Sequence, residues 1–261
     1  MGKIPIGMEH LYVLKRCSKE IDMLFTIQSY KNLLEHIMEQ DYAFSANSDY
    51  AEKVLLLRHD IDFDLLLAHK MATIENSLGV NSVYLVMVGN PLYDITSKQS
   101  ITLLNEIRSL GHQIGLHYDP LISNYCNFEN QLLKLGKTIG SEIKFYSQHQ
   151  PTIYGFNDKL NFKNSFDLNL QARNFKYISD SCMHPRENFQ NTFDNYSKIQ
   201  LLVHPEFWML DSVDLHDFGY KLKSFQANKN DQEIQKMITI MIETLRNRAV
   251  LDTKNKRFEC N

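Results

Sequence analysis

The chain has 261 residues, 43% of them hydrophobic and 23% charged, with a formal net charge of −3 at neutral pH. A chain of this length buries a sizeable core without a disulfide scaffold, and its mixed charges hold no basic stripe suited to nucleic acid as the main partner. No stretch approaches the roughly 18 apolar residues that a membrane span needs, and Met1 to Lys15 lack an apolar core of signal-peptide length.

The first predicted element is a helix over Ser29–Gln40, with Leu33, Leu34, Ile37 and Met38 along one face. Val54-Leu55-Leu56-Leu57 is a continuous apolar run, expected of a strand buried on both faces, and it gives way to Arg58-His59-Asp60-Ile61-Asp62. Leu66–Leu78 has helical spacing and stops at Gly79. Strand and helix then alternate: strand Ser82–Val88, helix Ser100–Leu110, strand Gln113–His117, helix Phe128–Ile139, strand Ile143–Ser147. Tyr177–Asp180 and Ile199–His204 read as two more strands, and Ile234–Leu245 as a closing amphipathic helix within about residues 231–249. Asn157–Phe175 and Pro185–Ser197 read as loops or lids. Six or seven strands alternating with helices predict a parallel sheet in one α/β domain over residues 1–261, either a distorted, incomplete (β/α) barrel or an open doubly wound sheet.

In such folds chemistry collects at the C-terminal ends of the strands. Here five consecutive ends read His-Asp-Ile-Asp (59–62), Leu-His-Tyr-Asp (116–119), Gln-His-Gln-Pro (148–151), Ser-Asp (179–180) and Val-His-Pro-Glu (203–206). Residues two apart on a strand share a face, so Asp60 and Asp62 bring two carboxylates together. Their repulsion is relieved by a divalent cation on one, leaving the other as a base; a loop cap or helix N-cap is the plainer reading of the pair. His112 and His117 lie about 16 Å apart at about 3.3 Å per strand residue. His117 is therefore at the chemical end, and His112 is expected to be structural or solvated. His149 and His204 suit metal ligation or acid–base work, and otherwise read as a turn histidine and a helix-start residue before Pro151 and Pro205. Asp180 can orient an imidazole or cap a turn. His59 and Glu206 stand beside the site, and Phe207 and Trp208 are candidates for an apolar wall against a sugar or acyl group, with ordinary core as the plainer reading of the two aromatics. His184 and Arg186 fall in the second lid segment.

Leu-Arg-His-Asp-Ile-Asp, Gly-His-Gln-Ile-Gly-Leu-His-Tyr, Ser-Gln-His-Gln-Pro and Leu-Val-His-Pro-Glu-Phe-Trp resemble, in order, the motifs of the polysaccharide deacetylases, the NodB-homology or carbohydrate esterase family 4 type. The resemblance spans Val54 to Trp208. It implies a distorted (β/α) barrel, a divalent metal (zinc foremost) and hydrolysis of N- or O-acetyl groups on sugars. It maps a base onto Asp60, metal ligands onto Asp62 and His117, and the acid that protonates the leaving group onto His204. Two positions depart from the pattern: Leu121 stands where a second histidine is usual, and His149 where an arginine usually precedes the proline. His149 replacing the absent ligand accounts for both, giving an Asp62–His117–His149 triad; a degenerate metal site is the alternative.

The expected function is removal of an N-acetyl or other acyl group from a sugar or sugar-containing intermediate of surface polysaccharide biosynthesis. The alternatives are a metal-dependent amidase acting on a non-sugar amide and an inactive carbohydrate-binding relative. The expected partner is a glycan or small molecule, with no nucleic acid and no membrane span. Cys17, Cys126, Cys182 and Cys260 form no C-x-x-C pair, which suits reduced thiols in a cytoplasm.

Overall fold

A computed structural model of the protein describes residues 25–47, 49–120, 128–151, 165–171, 174–183, 187, 189–226, 238–239 and 242–243. Leu121, His184, Arg186, Cys17, Cys126 and Cys260 lie outside them, as does most of the predicted closing helix.

The strands are β1 (Ala43–Phe44), β2 (Val54–Ile61), β3 (Val83–Val86), β4 (Gln113–Tyr118), β5 (Phe145–Gln148), β6 (Phe166–Asp167), β7 (Lys176–Ser179) and β8 (Lys198–Val203). Every pairing is parallel. The sheet runs β6-β5-β4-β3-β2-β8-β7, with β1 on the start of β2. From β2 to β6 each crossover moves one place in the same direction, and right-handed crossovers of that kind put their helices on one face. Read as a ring, the order is β2 to β6, then β7, β8 and back to β2. Among the described residues only the β6–β7 junction is unpaired. This is the incomplete barrel; a doubly wound sheet would carry helices on both faces.

The helices are α1 (Ile27–Glu39), α2 (Leu65–Ser77), α3 (Lys98–Ser109), α4 (Phe128–Ile139), α5 (Leu168–Gln171), α6 (Phe189–Asn195), α7 (Pro205–Met209) and α8 (Leu215–Gln226). α1 packs on α7, α7 on α2, α2 on α3 and α3 on α4, forming one outer layer. Strand residues split by parity between two cores. Leu55, Leu57, Tyr84, Val86, Leu116, Leu201 and Val203 join the helices in the large outer core. Val54, Leu56, Val83, Leu85 and Phe145 form a smaller inner plug with Leu168 and Phe175. β4 passes its neighbours closely at Gly115, where a Cβ would lie 2.6 Å from the Phe145 carbonyl oxygen and closer still to Leu85.

Several boundaries differ from the sequence expectation for local reasons. Thr26 and Ser97 accept hydrogen bonds from Ser29 N–H and Ser100 N–H, so α1 and α3 begin two residues before the predicted starts. Asp64 caps α2 in the same way through Leu66 N–H, and Gly79 takes the left-handed conformation (φ 73°) just past its end. β2 does not stop at Leu57: Arg58, His59 and Asp60 continue the strand, all buried. The segments read as loops contain β6, α5 and α6, the last held by buried Phe189 and Phe193 four residues apart. β1 and α8 were not expected from the sequence pattern. Among the described residues no helix is long and apolar enough to cross a membrane.

Candidate metal centre

Because the sheet is wholly parallel, its C-terminal ends share one rim. Asp60 lies near the end of β2 and Asp62 just beyond it; His117 ends near the tip of β4, and His149, Asp180 and His204 each follow the last residue of β5, β7 and β8. Asp62 Oδ1 lies 3.5 Å from His117 Nε2 and 3.7 Å from His149 Nδ1, and the two imidazole nitrogens are 3.0 Å apart. Tetrahedral zinc with bonds of about 2.0–2.2 Å sets its ligand atoms about 3.3–3.6 Å apart, so this triangle is close to the size such a cation requires. These are the three residues among those described whose ligand atoms cluster tightly enough to hold a metal ion.

Neighbours aim His117 and His149 at this triangle. His117 Nδ1 lies 2.7 Å from the Ser147 hydroxyl on β5, which leaves Nε2 for the triangle. His149 N–H donates to the Tyr118 carbonyl at 2.7 Å, extending the β4–β5 ladder by one residue. Gln150 then turns the chain with φ 44°, a left-handed conformation uncommon outside glycine, just before Pro151. Burial lowers the His117 pKa to about 4 against the opposing pull of Asp60 and Asp62, so this imidazole is neutral, as a metal ligand must be.

The surrounding charges pair off. Arg58, two residues before Asp60 on the same strand face, grips both Asp60 oxygens at 2.8 Å. Burial raises the Asp60 pKa, but the Arg58 guanidinium outweighs it and holds the carboxyl well below the usual range. Asp60 Oδ2 is 3.5 Å from His117 Nε2. Asp180, fully buried, accepts from His204 Nδ1 at 2.6 Å, from His204 N–H at 2.9 Å and from the Trp208 indole N–H at 2.8 Å. Burial disfavours the His204 cation, yet Asp180 reverses this and pushes its pKa up to about 10, so His204 is an imidazolium at neutral pH. Arg58 thus offsets Asp60 and His204 offsets Asp180. Among the described residues Asp62 has no cation of its own beyond His204 Nε2 at 3.9 Å, and its buried Oδ1 accepts no hydrogen bond. An orphaned carboxylate oxygen facing two imidazole nitrogens fits a divalent cation. Burial pushes the Glu206 carboxyl up, opposed by His204 and reinforced by Asp62.

Two sequence expectations need correction. His59 does not reach the rim: successive side chains alternate, so it points to the helix side, fully buried, with Nε2 2.7 Å from Glu75 and Nδ1 3.1 Å from the Val203 carbonyl. Tyr30, Ser82 and Tyr84 also donate to Glu75. His112 joins this cluster through Ser82 at 3.0 Å, and is structural as expected but buried rather than solvated. Of the two readings of Trp208 the core one holds and the substrate wall does not: it is fully buried against Phe25 and Tyr30, and it reaches the site through its hydrogen bond to Asp180. Phe207 stacks near His204, with centroids 5.2 Å apart. Arg58 and Ser147 were not singled out from sequence, although the period-two spacing from Arg58 to Asp60 marks the first.

No family model and no curated protein matches the chain. Solved structures similar to it include a family 4 carbohydrate esterase from Bacillus anthracis (12% identity, 83% of this chain and 86% of that one, TM-score 0.40). Another is a peptidoglycan deacetylase from Bacillus subtilis (11% identity, 77% and 98%, TM-score 0.41). A third is a family 4 pseudoenzyme from Bacillus anthracis (12% identity, 70% and 64%, TM-score 0.42). All three likenesses are low, and the chemistry of the site follows from the side chains of this chain.

Proposed function

We propose that the protein is a metal-dependent hydrolase that removes an acyl group, N-acetyl foremost, from a sugar or sugar-containing intermediate. The observation that carries this reading is the convergence of Asp62, His117 and His149 on one point, with Asp60 and His204 at its edge. Asp62 Oδ1, His117 Nε2 and His149 Nδ1 would hold the cation, leaving a coordination position open. A divalent ion such as zinc, when bound, polarises the acyl carbonyl and lowers the pKa of a water to about 7.

Asp60 takes the water's proton as the oxygen–carbon bond forms. Its basicity is low because of Arg58, so it serves only a water that is already acidified. Arg58 also fixes the carboxylate so that no reorientation is needed. His204, held as an imidazolium by Asp180, gives its proton to the amine nitrogen as the carbon–nitrogen bond breaks. The proton gained by Asp60 balances the one given by His204.

The same Arg58–Asp60 pair favours a second reading, a carbohydrate-binding protein without turnover, because a carboxylate gripped at both oxygens is a poor base. Metal content of the purified wild type and of His149→Ala, together with hydrolysis of N-acetyl sugars, separates the readings. The hydrolase reading expects stoichiometric metal in the wild type, loss of it in His149→Ala, and turnover. Asp62→Ala and His117→Ala should lose metal and activity together. Asp60→Asn should keep the metal and lose about 10²–10⁴-fold in turnover. Metal without turnover on any acylated sugar supports the binding reading, and a wild type that takes up no added zinc removes the hydrolase reading and leaves the binding one.

A further inference from the structure

Asp62 supplies a carboxylate to the triangle, yet it is the first residue beyond β2, whose last ladder partner is Ile61 on Val86. The sheet therefore does not hold its main chain. Two side chains from residues 87–97, the loop after β3, do so instead. The Asn90 amide donates to the Asp62 carbonyl oxygen at 2.9 Å, and the Tyr93 hydroxyl donates to the Ile61 carbonyl oxygen at 2.8 Å.

The loop is braced internally for this task. Asn90 Oδ1 accepts from Leu92 N–H at 2.8 Å, and its amide also lies 3.4 Å from Met87 Sδ. The Tyr93 oxygen accepts from Met87 N–H at 2.9 Å. Asn90, Tyr93, Met87 and Leu92 are all buried, so these bonds form away from competing water. Asn90 thus has both its oxygen and its amide committed, and only one of its contacts reaches out of the loop to a polar atom.

We infer that Asn90 and Tyr93 are positioning residues for the metal ligand Asp62, and that the loop after β3 sets the affinity of the site for its cation. The inference rests on the metal reading of the Asp62–His117–His149 triangle. A ligand whose backbone is free to rotate pays an ordering cost on each binding event, and fixing it in advance removes that cost. Partners one step out from metal ligands commonly change metal affinity by about 10–100-fold when removed.

The test is a cobalt(II) titration of the full chain, followed by visible absorption, for the wild type, Asn90→Asp and Tyr93→Phe. Asp at position 90 keeps the acceptor for Leu92 N–H but cannot donate to Asp62, so the loop retains its Leu92 brace and loses the outward bond together with the weaker contact to Met87 Sδ. Tyr93→Phe removes the bond to Ile61 and the acceptor for Met87. Asn76→Ala is the matched control, since Asn76 donates to the Leu110 carbonyl at 2.9 Å on an exposed surface outside the cluster. Both loop variants should bind cobalt about 10–100-fold more weakly, with the control unchanged. By the reciprocity of coupled equilibria, zinc added to the wild type should also slow amide exchange at Met87 and Leu92, a readout that needs no variant to fold. Wild-type cobalt affinity in folded Asn90→Asp and Tyr93→Phe, or unchanged exchange at Met87 and Leu92 on metal binding, would overturn the inference while leaving the metal reading intact. A wild type that binds no cobalt would overturn both.

Discussion

Asp60, His117 and His204 meet the same two influences, burial and one or two close charges, with different outcomes. At Asp60 the Arg58 cation prevails and the carboxyl stays ionised. At His204 the Asp180 anion prevails and the imidazole stays charged, whereas at His117 burial prevails and the ring is neutral. The signs give a pH profile for the metal-free protein. The folded pKa of His204, about 10, is above its unfolded value of about 6.5, so its stabilisation is complete below pH 6.5 and disappears as pH rises to about 10. His117 works in the opposite sense: its stabilisation is present above about 6.5 and is lost as pH falls to about 4. Urea unfolding across this range should show a maximum near neutrality, and Asp180→Asn should flatten its alkaline side. A wild-type curve with no alkaline decline would discredit the His204–Asp180 account. In turnover, the same variant should move the alkaline decline to lower pH, since the acid would then lose its proton earlier.

Among the elements, β2 carries the most consequence, because it faces polar groups on both sides. Arg58 and Asp60 satisfy each other inside the barrel, while His59 reaches outward to Glu75 on α2. Glu75 is a fully buried carboxylate: burial raises its pKa, but His59 and His112 together with its hydrogen-bond donors bring it below the ordinary value. Glu75→Ala leaves His59 without that partner and should cost about 3–5 kcal/mol in chemical denaturation. Gly115→Ala on β4 should cost about 1–3 kcal/mol by overpacking against Leu85 and the Phe145 carbonyl. A loss below half a kcal/mol in either would mean that the element relaxes more than its contacts suggest. These partnerships also mark what the sequence could and could not disclose. The apolar run at Val54–Leu57 and the His and Asp endings located the strands and the rim, because a parallel sheet must put them there. The end of β2 was missed because what makes Arg58 and His59 tolerable in a strand is a partner on the same face or on a distant helix. His59 was assigned to the rim since nothing local announces Glu75. β6, α5 and α6 were hidden because they are short, and Asn157, Asp158, Lys159 and Asn161 ahead of them read as turn residues.

At the scale of the molecule, the described strands form a ring with one unpaired junction. β2 is paired on both sides, to β3 and β8, while β6 and β7 are each paired on one side only. Phe166 on β6 and Tyr177 on β7 are correspondingly 54% and 41% exposed. Native-state hydrogen exchange should be slowest in β2 and fastest, among the strands, in β6 and β7; equal protection throughout would argue that the junction is closed in solution. The three proposed ligands come from three different strand ends, and even His117 and His149, the closest pair in sequence, are 32 residues apart. The unfolded chain therefore offers no ready chelate, unlike a protein whose ligands lie one helical turn apart. A cation would bind the native state almost alone, so each tenfold excess over its dissociation constant would add about 1.4 kcal/mol of stability. Metal supply would then govern how long each copy survives proteolysis as well as whether it is loaded, and a cell short of the ion would be expected to hold less of the protein.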